Sequence, residues 1–230
     1  MEKQMNWSEQ EKKNAALEAV KQIKDNQIIG LGTGSTAFYA IQAVGELVKS
    51  GMHLQAVATS VHTEELAAEL GIKLLKPEEV KEIDITIDGA DEFDSALNLI
   101  KGGGGALFRE KIVASLSKKE IIIADSSKLV NKLGKFKIPV EVVPFGLSYV
   151  KQQLEKSGAT CYLRKRDDKV FLTDNHNYII DADFGLLDNP APLAETLNQI
   201  EGVVAHGLFI HLATQVIMGK GDQVVVYAGN

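Results

Sequence analysis

Short apolar segments alternate with helical segments as far as Asp125, and this alternation limits the possible folds more than any other feature of the chain. The predicted strands are short runs of mainly apolar residues, at 27–31, 54–59, 72–75, 83–87 and 120–124. The predicted helices carry apolar residues at helical spacing, at 8–26, 37–49, 63–70 and 106–116. Elements in this order form a mostly parallel sheet with helices on both faces. The pattern therefore predicts a Rossmann-like α/β fold.

The order of predicted elements changes after Lys137. Strands are predicted at 138–143, 160–164, 170–173, 178–183 and 203–208, with helices at 146–156 and 192–200 and a turn at 174–177. A β-α-β-β-α-β order with one extra hairpin is typical of a small ferredoxin-like α+β domain. The last predicted strands, 214–218 and 223–227, return to the first sheet. We therefore expect a Rossmann-like catalytic domain of residues 1–135 and 207–230, and a smaller domain of residues 136–206.

Charge and composition narrow the class of protein. The chain has 25 Lys and Arg against 31 Asp and Glu, so it offers no broad basic surface to nucleic acid. Its single cysteine, Cys161, cannot form an intramolecular disulfide, and residues 1–4 lack the apolar character of a signal peptide. The longest apolar runs are far shorter than the roughly 20 residues of a membrane-spanning helix. These features predict a cytoplasmic protein without a nucleic-acid or membrane partner.

A glycine-rich turn, Gly32-Thr33-Gly34-Ser35-Thr36, separates the first predicted strand from the next helix. Such a turn exposes N–H groups at the positive end of a helix and lets a phosphate approach the main chain. A dinucleotide site also requires an acid near the end of the second strand, but residues 53–62 contain none, and no lysine follows the turn as in a P-loop. The turn therefore favours a phosphate monoester, with Lys12 and Lys128 as candidate partners. Tight strand–helix packing without a ligand is the alternative.

Two acids, Asp88 and Asp91, follow the strand predicted at 83–87. They are expected at the carboxyl edge of the sheet, where open α/β sheets bind their ligands. Acids at this position also cap turns, and clustered carboxylates suit Mg²⁺, so both alternatives stay open. Neither acid has a histidine near it in the sequence, and nothing in the pattern requires a metal.

Lys101 precedes four glycines, and such a run is difficult to explain by packing alone. It indicates backbone that lies against a ligand. Glu110 follows in the next helix, where partial burial would raise its pKa towards the range of a general base. An exposed glutamate paired with Arg109 or Lys111 is the alternative. Together with the phosphate-binding turn, these residues are suited to proton transfer beside a carbonyl of a phosphorylated substrate.

The succession of motifs resembles the type A ribose-5-phosphate isomerase family. The turn at 32–36, Asp88-Gly89-Ala90-Asp91-Glu92, Lys101-Gly102-Gly103-Gly104 and Arg109-Glu110-Lys111 look like the successive motifs of that family. The segments 134–136, 139–142, 202–204 and 207–209 look like further landmarks, so the likeness spans nearly the whole chain. The resemblance implies metal-free and cofactor-free interconversion of D-ribose 5-phosphate and D-ribulose 5-phosphate, in the non-oxidative branch of the pentose phosphate pathway.

The resemblance also implies a role for each motif. Glu110 matches the family's general base, which moves a proton between C1 and C2 through a cis-enediol. Asp88 matches an acid that assists ring opening and hydroxyl proton movement, and Lys101 matches the residue that stabilises the enediolate. The implied substrate-binding residues are Thr33, Gly34, Ser35, Thr36, Asp88, Gly89, Ala90, Asp91, Lys101, Gly102, Gly103, Gly104, Lys128 and Lys12. The family's usual assembly implies a homodimer or a dimer of dimers.

Three other classes of protein share parts of this pattern. A nicotinamide-dependent dehydrogenase is disfavoured because the acid after the second strand is missing. A sugar-phosphate-sensing domain would use a related sheet and glycine loops without turnover. A CoA transferase would use Glu110 as a nucleophile. The sequence departs from the family at Gly105, where many members have alanine, and it gives no role to His206 or His211.

Overall fold

The computed structural model describes residues 7–229. The N-terminal segment on which the signal-peptide expectation rests lies outside these residues. The helices are α1 (Trp7–Val20), α2 (Ser35–Lys49), α3 (Val61–Glu69), α4 (Leu107–Leu116), α5 (Leu147–Lys156) and α6 (Pro190–Asn198). The strands are β1 (Ile28–Leu31), β2 (Gln55–Ala58), β3 (Lys73–Leu74), β4 (Ile85–Gly89), β5 (Glu92–Phe93), β6 (Leu99–Ile100), β7 (Glu120–Asp125), β8 (Ile138–Val142), β9 (Thr160–Leu163), β10 (Lys165–Arg166), β11 (Lys169–Val170), β12 (Tyr178–Asp183), β13 (Val203–His206), β14 (Leu208–Phe209), β15 (Gln215–Lys220) and β16 (Gln223–Ala228).

The largest sheet has the strand order β16-β15-β7-β4-β1-β2-β3. Its pairs are parallel except for β15 and β16, which form an antiparallel hairpin at one edge. Apolar residues of α1 and α2 pack on one face of this sheet, and Ala114 of α4 packs with Ile122 on the other. The predicted α/β fold with helices on both faces of a mostly parallel sheet is therefore confirmed. No helix within residues 7–229 is long and apolar enough to cross a membrane.

A second sheet has the order β13-β8-β12-β9, and all of its pairs are antiparallel. Along the chain its elements follow the β-α-β-β-α-β order predicted for a ferredoxin-like unit, with α5 and α6 contributing to its core. The extra hairpin is formed by β10 and β11, whose turn lies at 167–168 rather than at the predicted 174–177, and the strand predicted at 170–173 ends at Val170. The domain boundaries at 135/136 and 206/207 stay a prediction.

A short third sheet, in the order β14-β6-β5, was not predicted. Its two-residue strands are too short to show a period in the sequence. The sheet lies next to the predicted site, because the N–H of Lys101 donates to the carbonyl of Gly207 at 2.9 Å. It therefore fixes the start of the glycine run that follows Lys101.

The first helix differs in length from the prediction. It ends at Val20 rather than near Asn26, and Asn26 itself has a positive φ of 64°, which a helix does not allow. Helix α1 lies so close to β15 that a Cβ on Gly219 would overlap the carbonyl of Glu11. Only glycine permits this approach of helix to strand.

Replacing Gly219 with alanine therefore tests the contact between α1 and β15. We expect Gly219→Ala to lower the free energy of unfolding by about 2–3 kcal/mol, because the helix must move away from the strand. Urea denaturation measures the change. Gly146→Ala is the matched control, since a Cβ there meets no atom closer than 3.6 Å. Equal stability of the two variants would contradict the prediction.

Candidate active site

The carboxyl ends of β1, β4 and β7 open into a cavity of about 270 Å³. Its wall contains every predicted substrate-binding or catalytic residue except Asp88, which lies directly beneath it. The wall residues are Ser8, Lys12, Thr33, Gly34, Ser35, Thr36, Gly89, Ala90, Asp91, Lys101, Gly102, Gly103, Gly104, Glu110, Asp125, Ser127 and Lys128. Ser8, Asp125 and Ser127 were not predicted. Serine and aspartate at the ends of a helix and a strand are too common to stand out in a sequence.

A buried lysine lies between two buried carboxylates at one end of the cavity. The Nζ of Lys101 is 2.9 Å from Oδ2 of Asp88 and 3.3 Å from Oε1 of Glu110, and it also donates to the carbonyl of Gly89. Lys101, Asp88 and Glu110 are 2%, 1% and 6% exposed. Among residues 7–229, no hydrogen-bond donor is aligned with Oδ2 of Asp88 and none reaches Oε2 of Glu110. Glu110 is therefore not the exposed glutamate of the alternative interpretation, and it is buried in the wall of the cavity.

Burial and charge shift the pKa values of this cluster. Burial raises the pKa of Glu110 to about 8, with Lys101 opposing the shift and Asp88 and Asp91 adding to it. Burial disfavours the ammonium of Lys101, but Asp88 and Glu110 together outweigh it and hold the pKa of Lys101 above its ordinary value. A carboxyl that titrates near neutrality beside a permanent cation can accept and return a proton.

Asp88 holds the ends of two strands together. Its Oδ1 accepts hydrogen bonds from the N–H groups of Thr33 and Gly89, at 3.1 and 2.7 Å. A Cβ on Gly32 would overlap this carboxylate, so the turn after β1 must be glycine at that position. Asp88 thus orients Lys101 from beneath the cavity. Its direct contact with substrate stays a prediction.

The hydroxyl of Thr33 fixes the glycine-rich turn. It lies 2.7 Å from the hydroxyl of Thr59, 2.9 Å from that of Ser60 and 3.2 Å from that of Thr63. Ser60 also caps α3 by accepting from the N–H of Thr63, so the hydroxyls connect the turn to the next helix. The first turn of α2 begins at Ser35, two residues earlier than predicted. Gly34 precedes it with a φ of 113°, a conformation that favours glycine.

The glycine segment after Lys101 is held from both sides. Oδ2 of Asp91 accepts from the N–H of Gly103 at 2.7 Å. From the second sheet, the guanidinium of Arg164 donates to the carbonyls of Gly102 and Gly103 at 2.8 and 3.2 Å, and Asp181 pairs with that guanidinium. Arg164 was missed by sequence reasoning, because it is more than 60 residues from the glycines that it contacts.

Two basic side chains line the opposite end of the cavity. Lys12 projects from α1 and pairs with Glu9 at 2.7 Å. Lys128 ends the short turn after β7, and within residues 7–229 it forms no ion pair. Both lysines share the cavity with Ser35 and Thr36 at the start of α2. Cations and the positive end of a helix are therefore arranged around one space.

Glu120, at the start of β7, is a further buried carboxyl that was not predicted. It is 1% exposed, and its Oε2 has no hydrogen-bond partner. Burial and the neighbouring Asp88 raise the pKa of Glu120 well above its ordinary value, against the influence of Lys101. This shift favours the neutral form of Glu120, which limits the negative charge next to Asp88.

Lys111 and His206 support the site without lining it. The Nζ of Lys111 donates to the carbonyls of His206 and Leu208, and burial lowers the pKa of this lysine to about 7. Burial and the charge of Lys111 lower the pKa of His206 to about 3, and its ring pairs with Asn198. His206 is therefore a neutral packing residue. His211 is exposed.

A metal site would require several ligand side chains that lie close together. Between positions 7 and 229, no three His, Cys, Asp or Glu side chains are placed to hold a metal ion. Metal-free chemistry stays a prediction.

A buried carboxylate beside an ammonium and a helix start near two lysines, set at the carboxyl edge of one α/β sheet, are typical of enzymes that isomerise small phosphorylated molecules. Residues 55–223 match the family model described as ribose 5-phosphate isomerase A (phosphoriboisomerase A). The chain belongs to this family.

Relatives and solved structures agree with the assignment. Ribose-5-phosphate isomerase A of Sphingopyxis alaskensis is 47% identical over 216 residues, covering 94% of this chain and 95% of that protein. The structure of ribose 5-phosphate isomerase from Plasmodium falciparum is 42% identical with a TM-score of 0.92, covering 95% of this chain and 98% of that chain. The corresponding enzyme from Methanocaldococcus jannaschii is 39% identical with a TM-score of 0.90, covering 94% and 97%. These matches favour the isomerase interpretation over the dehydrogenase, sensor and CoA transferase alternatives.

The contact between Arg164 and the glycine segment can be tested by hydrogen exchange. We expect Arg164→Gln to raise the exchange rate of the amides of residues 102–105 at least tenfold, because charge-assisted hydrogen bonds to two carbonyls are lost. Mass spectrometry of peptides from this segment measures the change. Arg166→Gln is the control, since Arg166 is exposed and its guanidinium lies over the ring of Phe171. Unchanged exchange in Arg164→Gln would show that the glycine segment is held without it.

Proposed function

We propose that this protein catalyses the reversible interconversion of D-ribose 5-phosphate and D-ribulose 5-phosphate, in the non-oxidative branch of the pentose phosphate pathway. The observation that carries the proposal is the position of Glu110, which is buried in the wall of the cavity with Oε1 at 3.3 Å from the ammonium of Lys101. A base and a cation at this spacing fit the removal of a proton from a carbon next to a carbonyl.

Glu110 moves the proton between the two carbons. From the open-chain aldose, its carboxylate takes the proton of C2, the C–H electron pair forms the C1–C2 double bond, and the carbonyl oxygen O1 takes up the negative charge. O1 takes a proton from the Lys101–Asp88 pair, which gives the cis-enediol, and the pair recovers this proton when O2 loses its own in the next step. The carboxyl of Glu110 then returns the proton to C1 while O2 loses its own proton and becomes the ketose carbonyl. No proton or electron is gained or lost overall.

Lys101 stabilises the negative charge on the enediolate oxygens. Its pKa is held above the ordinary value, so it stays charged when Glu110 changes its protonation state. Asp88 keeps the ammonium in place through Oδ2, and we propose that it exchanges hydroxyl protons with the substrate by way of Lys101. We propose that the N–H groups of Gly102 and Gly104, which also line the cavity, add neutral donors to the substrate.

The phosphate group is proposed to occupy the end of the cavity formed by Ser35, Thr36, Lys12 and Lys128. N–H groups and hydroxyls at the start of α2 supply neutral donors, and the two lysines supply charge. This local arrangement explains how a chain of net charge −6 can bind an anion. The remaining sugar-binding contacts are proposed for Thr33, Gly34, Gly89, Ala90 and Asp91, which lie between the two ends.

A solved relative gives a chemical model of the bound intermediate. A D-ribose-5-phosphate isomerase with 40% identity and a TM-score of 0.93, whose match covers 96% of this chain and 99% of that chain, is described in complex with phospho-erythronic acid. The carboxylate of that acid has two oxygens on one planar carbon, which resembles the planar oxygen-bearing end of an enediolate. We propose that the same acid competes with substrate in the cavity of this protein.

The assembly and the cellular location are proposed from the family resemblance and the composition. The family resemblance supports a homodimer or a dimer of dimers. The single cysteine and the acidic net charge support a cytoplasmic protein without a nucleic-acid partner. The isomerisation is proposed to need no metal or cofactor, since Glu110 and Lys101 supply the base and the cation.

Replacing Glu110 tests the central step. We expect Glu110→Gln to lower kcat for ribulose 5-phosphate formation by about 10³-fold or more, because an amide cannot accept the C2 proton. Glu65→Gln, an exposed glutamate of α3, is the control and keeps wild-type activity. The wild type is expected to keep its activity in excess EDTA. Sustained activity of Glu110→Gln, or loss of wild-type activity on chelation, would contradict the mechanism.

The raised pKa of Glu110 predicts the pH dependence of the reaction. Below a pH of about 8 the carboxyl is mainly protonated and cannot act as a base, so kcat/KM should rise with pH and level off above that value. Asp91→Asn should move the midpoint to lower pH, because Asp91 contributes to raising this pKa. Rates are best compared above pH ~6.5, where the substrate phosphate is already ionised. A flat profile, or a midpoint that moves up in Asp91→Asn, would be inconsistent with Glu110 as the base.

A further inference from the structure

Glu11 is a buried carboxylate that the proposed reaction does not use. It lies on the inner side of α1, 8% exposed, among Ala15, Ala16 and Ala19 of the same buried face. An acidic residue at such a place requires hydrogen bonds that offset the loss of water. Its partners therefore show what the side chain does.

The carboxylate of Glu11 accepts three hydrogen bonds from two other parts of the chain. Oε2 accepts from the N–H and the hydroxyl of Ser126, at 2.9 and 2.8 Å, and Oε1 accepts from the N–H of Gly221 at 2.7 Å. Burial alone would raise the pKa of Glu11, but these donors outweigh it and lower the pKa below its ordinary value. Glu11 is thus charged and joins α1 to the turn after β7 and to the β15–β16 hairpin.

Two of the three segments that Glu11 joins, α1 and the turn after β7, carry the two lysines of the cavity. Lys12 is the next residue on α1, and Lys128 is two residues beyond Ser126 in the turn Ser126–Lys128. The turn is one short 3-10 element, which by itself has few internal hydrogen bonds. Asp125, just before this turn, accepts a hydrogen bond from the N–H of Ser127. Glu11 contacts the turn from α1 by accepting a hydrogen bond from the N–H of Ser126.

We propose that Glu11 is a positioning residue for the phosphate-binding end of the cavity, where it fixes the spacing between Lys12 and Lys128. The inference rests on the proposed function, because the anion between the two lysines is the phosphate of the sugar. Glu11 is buried behind the wall and does not touch the substrate. Its effect passes through the placement of the two ammonium groups.

Glu11→Gln tests the proposal, because the amide has the shape of the carboxylate but presents an NH₂ group to at least one backbone N–H donor. We expect the dissociation constant of inorganic phosphate, measured by calorimetry, to rise about tenfold, which corresponds to about 1.4 kcal/mol. KM for ribose 5-phosphate should rise by a similar factor, while kcat stays within about twofold. An equal loss in kcat with unchanged phosphate binding would overturn the proposal.

Two further variants separate positioning from general stability. Glu18→Gln changes a partly exposed glutamate on the same helix that pairs only with Lys21, and it should leave phosphate binding unchanged. Ser126→Ala removes the hydroxyl contact and keeps the N–H contact, so it should weaken phosphate binding about threefold and decides the matter if Glu11→Gln does not fold. Unchanged phosphate binding in Ser126→Ala would then overturn the proposal.

The same measurements distinguish a failure of this proposal from a failure of the proposed function. A wild-type protein that binds inorganic phosphate but does not turn over ribose 5-phosphate would overturn the function, while the calorimetric comparison would still test Glu11. A wild-type protein that does not bind inorganic phosphate would overturn the positioning role itself.

Discussion

The buried ammonium of Lys101 is the charge on which the rest of the site depends. Without it, Glu110 and Asp88 would be two buried carboxylates side by side with no cation between them, and the pKa of Glu110 would be raised further. With it, Asp88 can hold the strand ends by accepting backbone N–H groups, and Glu110 can titrate near neutrality. The same ammonium thus stabilises the carboxylate that joins the strand ends and the carboxylate proposed to act as the base.

Besides Asp88, two backbone groups hold Lys101 in position. The N–H of Lys101 donates to the carbonyl of Gly207, and its ammonium donates to the carbonyl of Gly89. Of these two glycines, Gly207 lies in tight surroundings, because a Cβ there would overlap the carbonyl of Lys101. Glycine is needed here so that strands from three parts of the chain can meet around one ammonium.

Much of this arrangement could be read from the sequence, because it depends on local patterns. Strand–turn–helix periodicity gave the main sheet, and the carboxyl-edge rule brought Asp88, Lys101 and the turn at 32–36 to one place. What could not be read depends on contacts between distant residues. Arg164, Glu11 and Glu120 look like ordinary charged residues, and the sequence contains no signal that they are buried against the site.

The end of the first helix and the shortest strands could not be predicted from the sequence either. The end of α1 at Val20 and the two-residue strands of the third sheet are decided by tertiary packing, which overrides local propensity. The catalytic and binding roles assigned to individual residues follow from chemistry and resemblance, and they stay predictions even where the residues lie together.

The position of Gly207 and Gly221 near the end of the chain has a consequence for synthesis. The chain leaves the ribosome from its N-terminus, so Lys101 and Glu11 are made long before the backbone groups that hold them. Strand β15, which pairs with β7, also comes from this last part of the chain. The cavity therefore acquires these supports only after residues 207–221 have been made, and a chain interrupted before Gly207 would contain all the proposed catalytic residues without these backbone contacts.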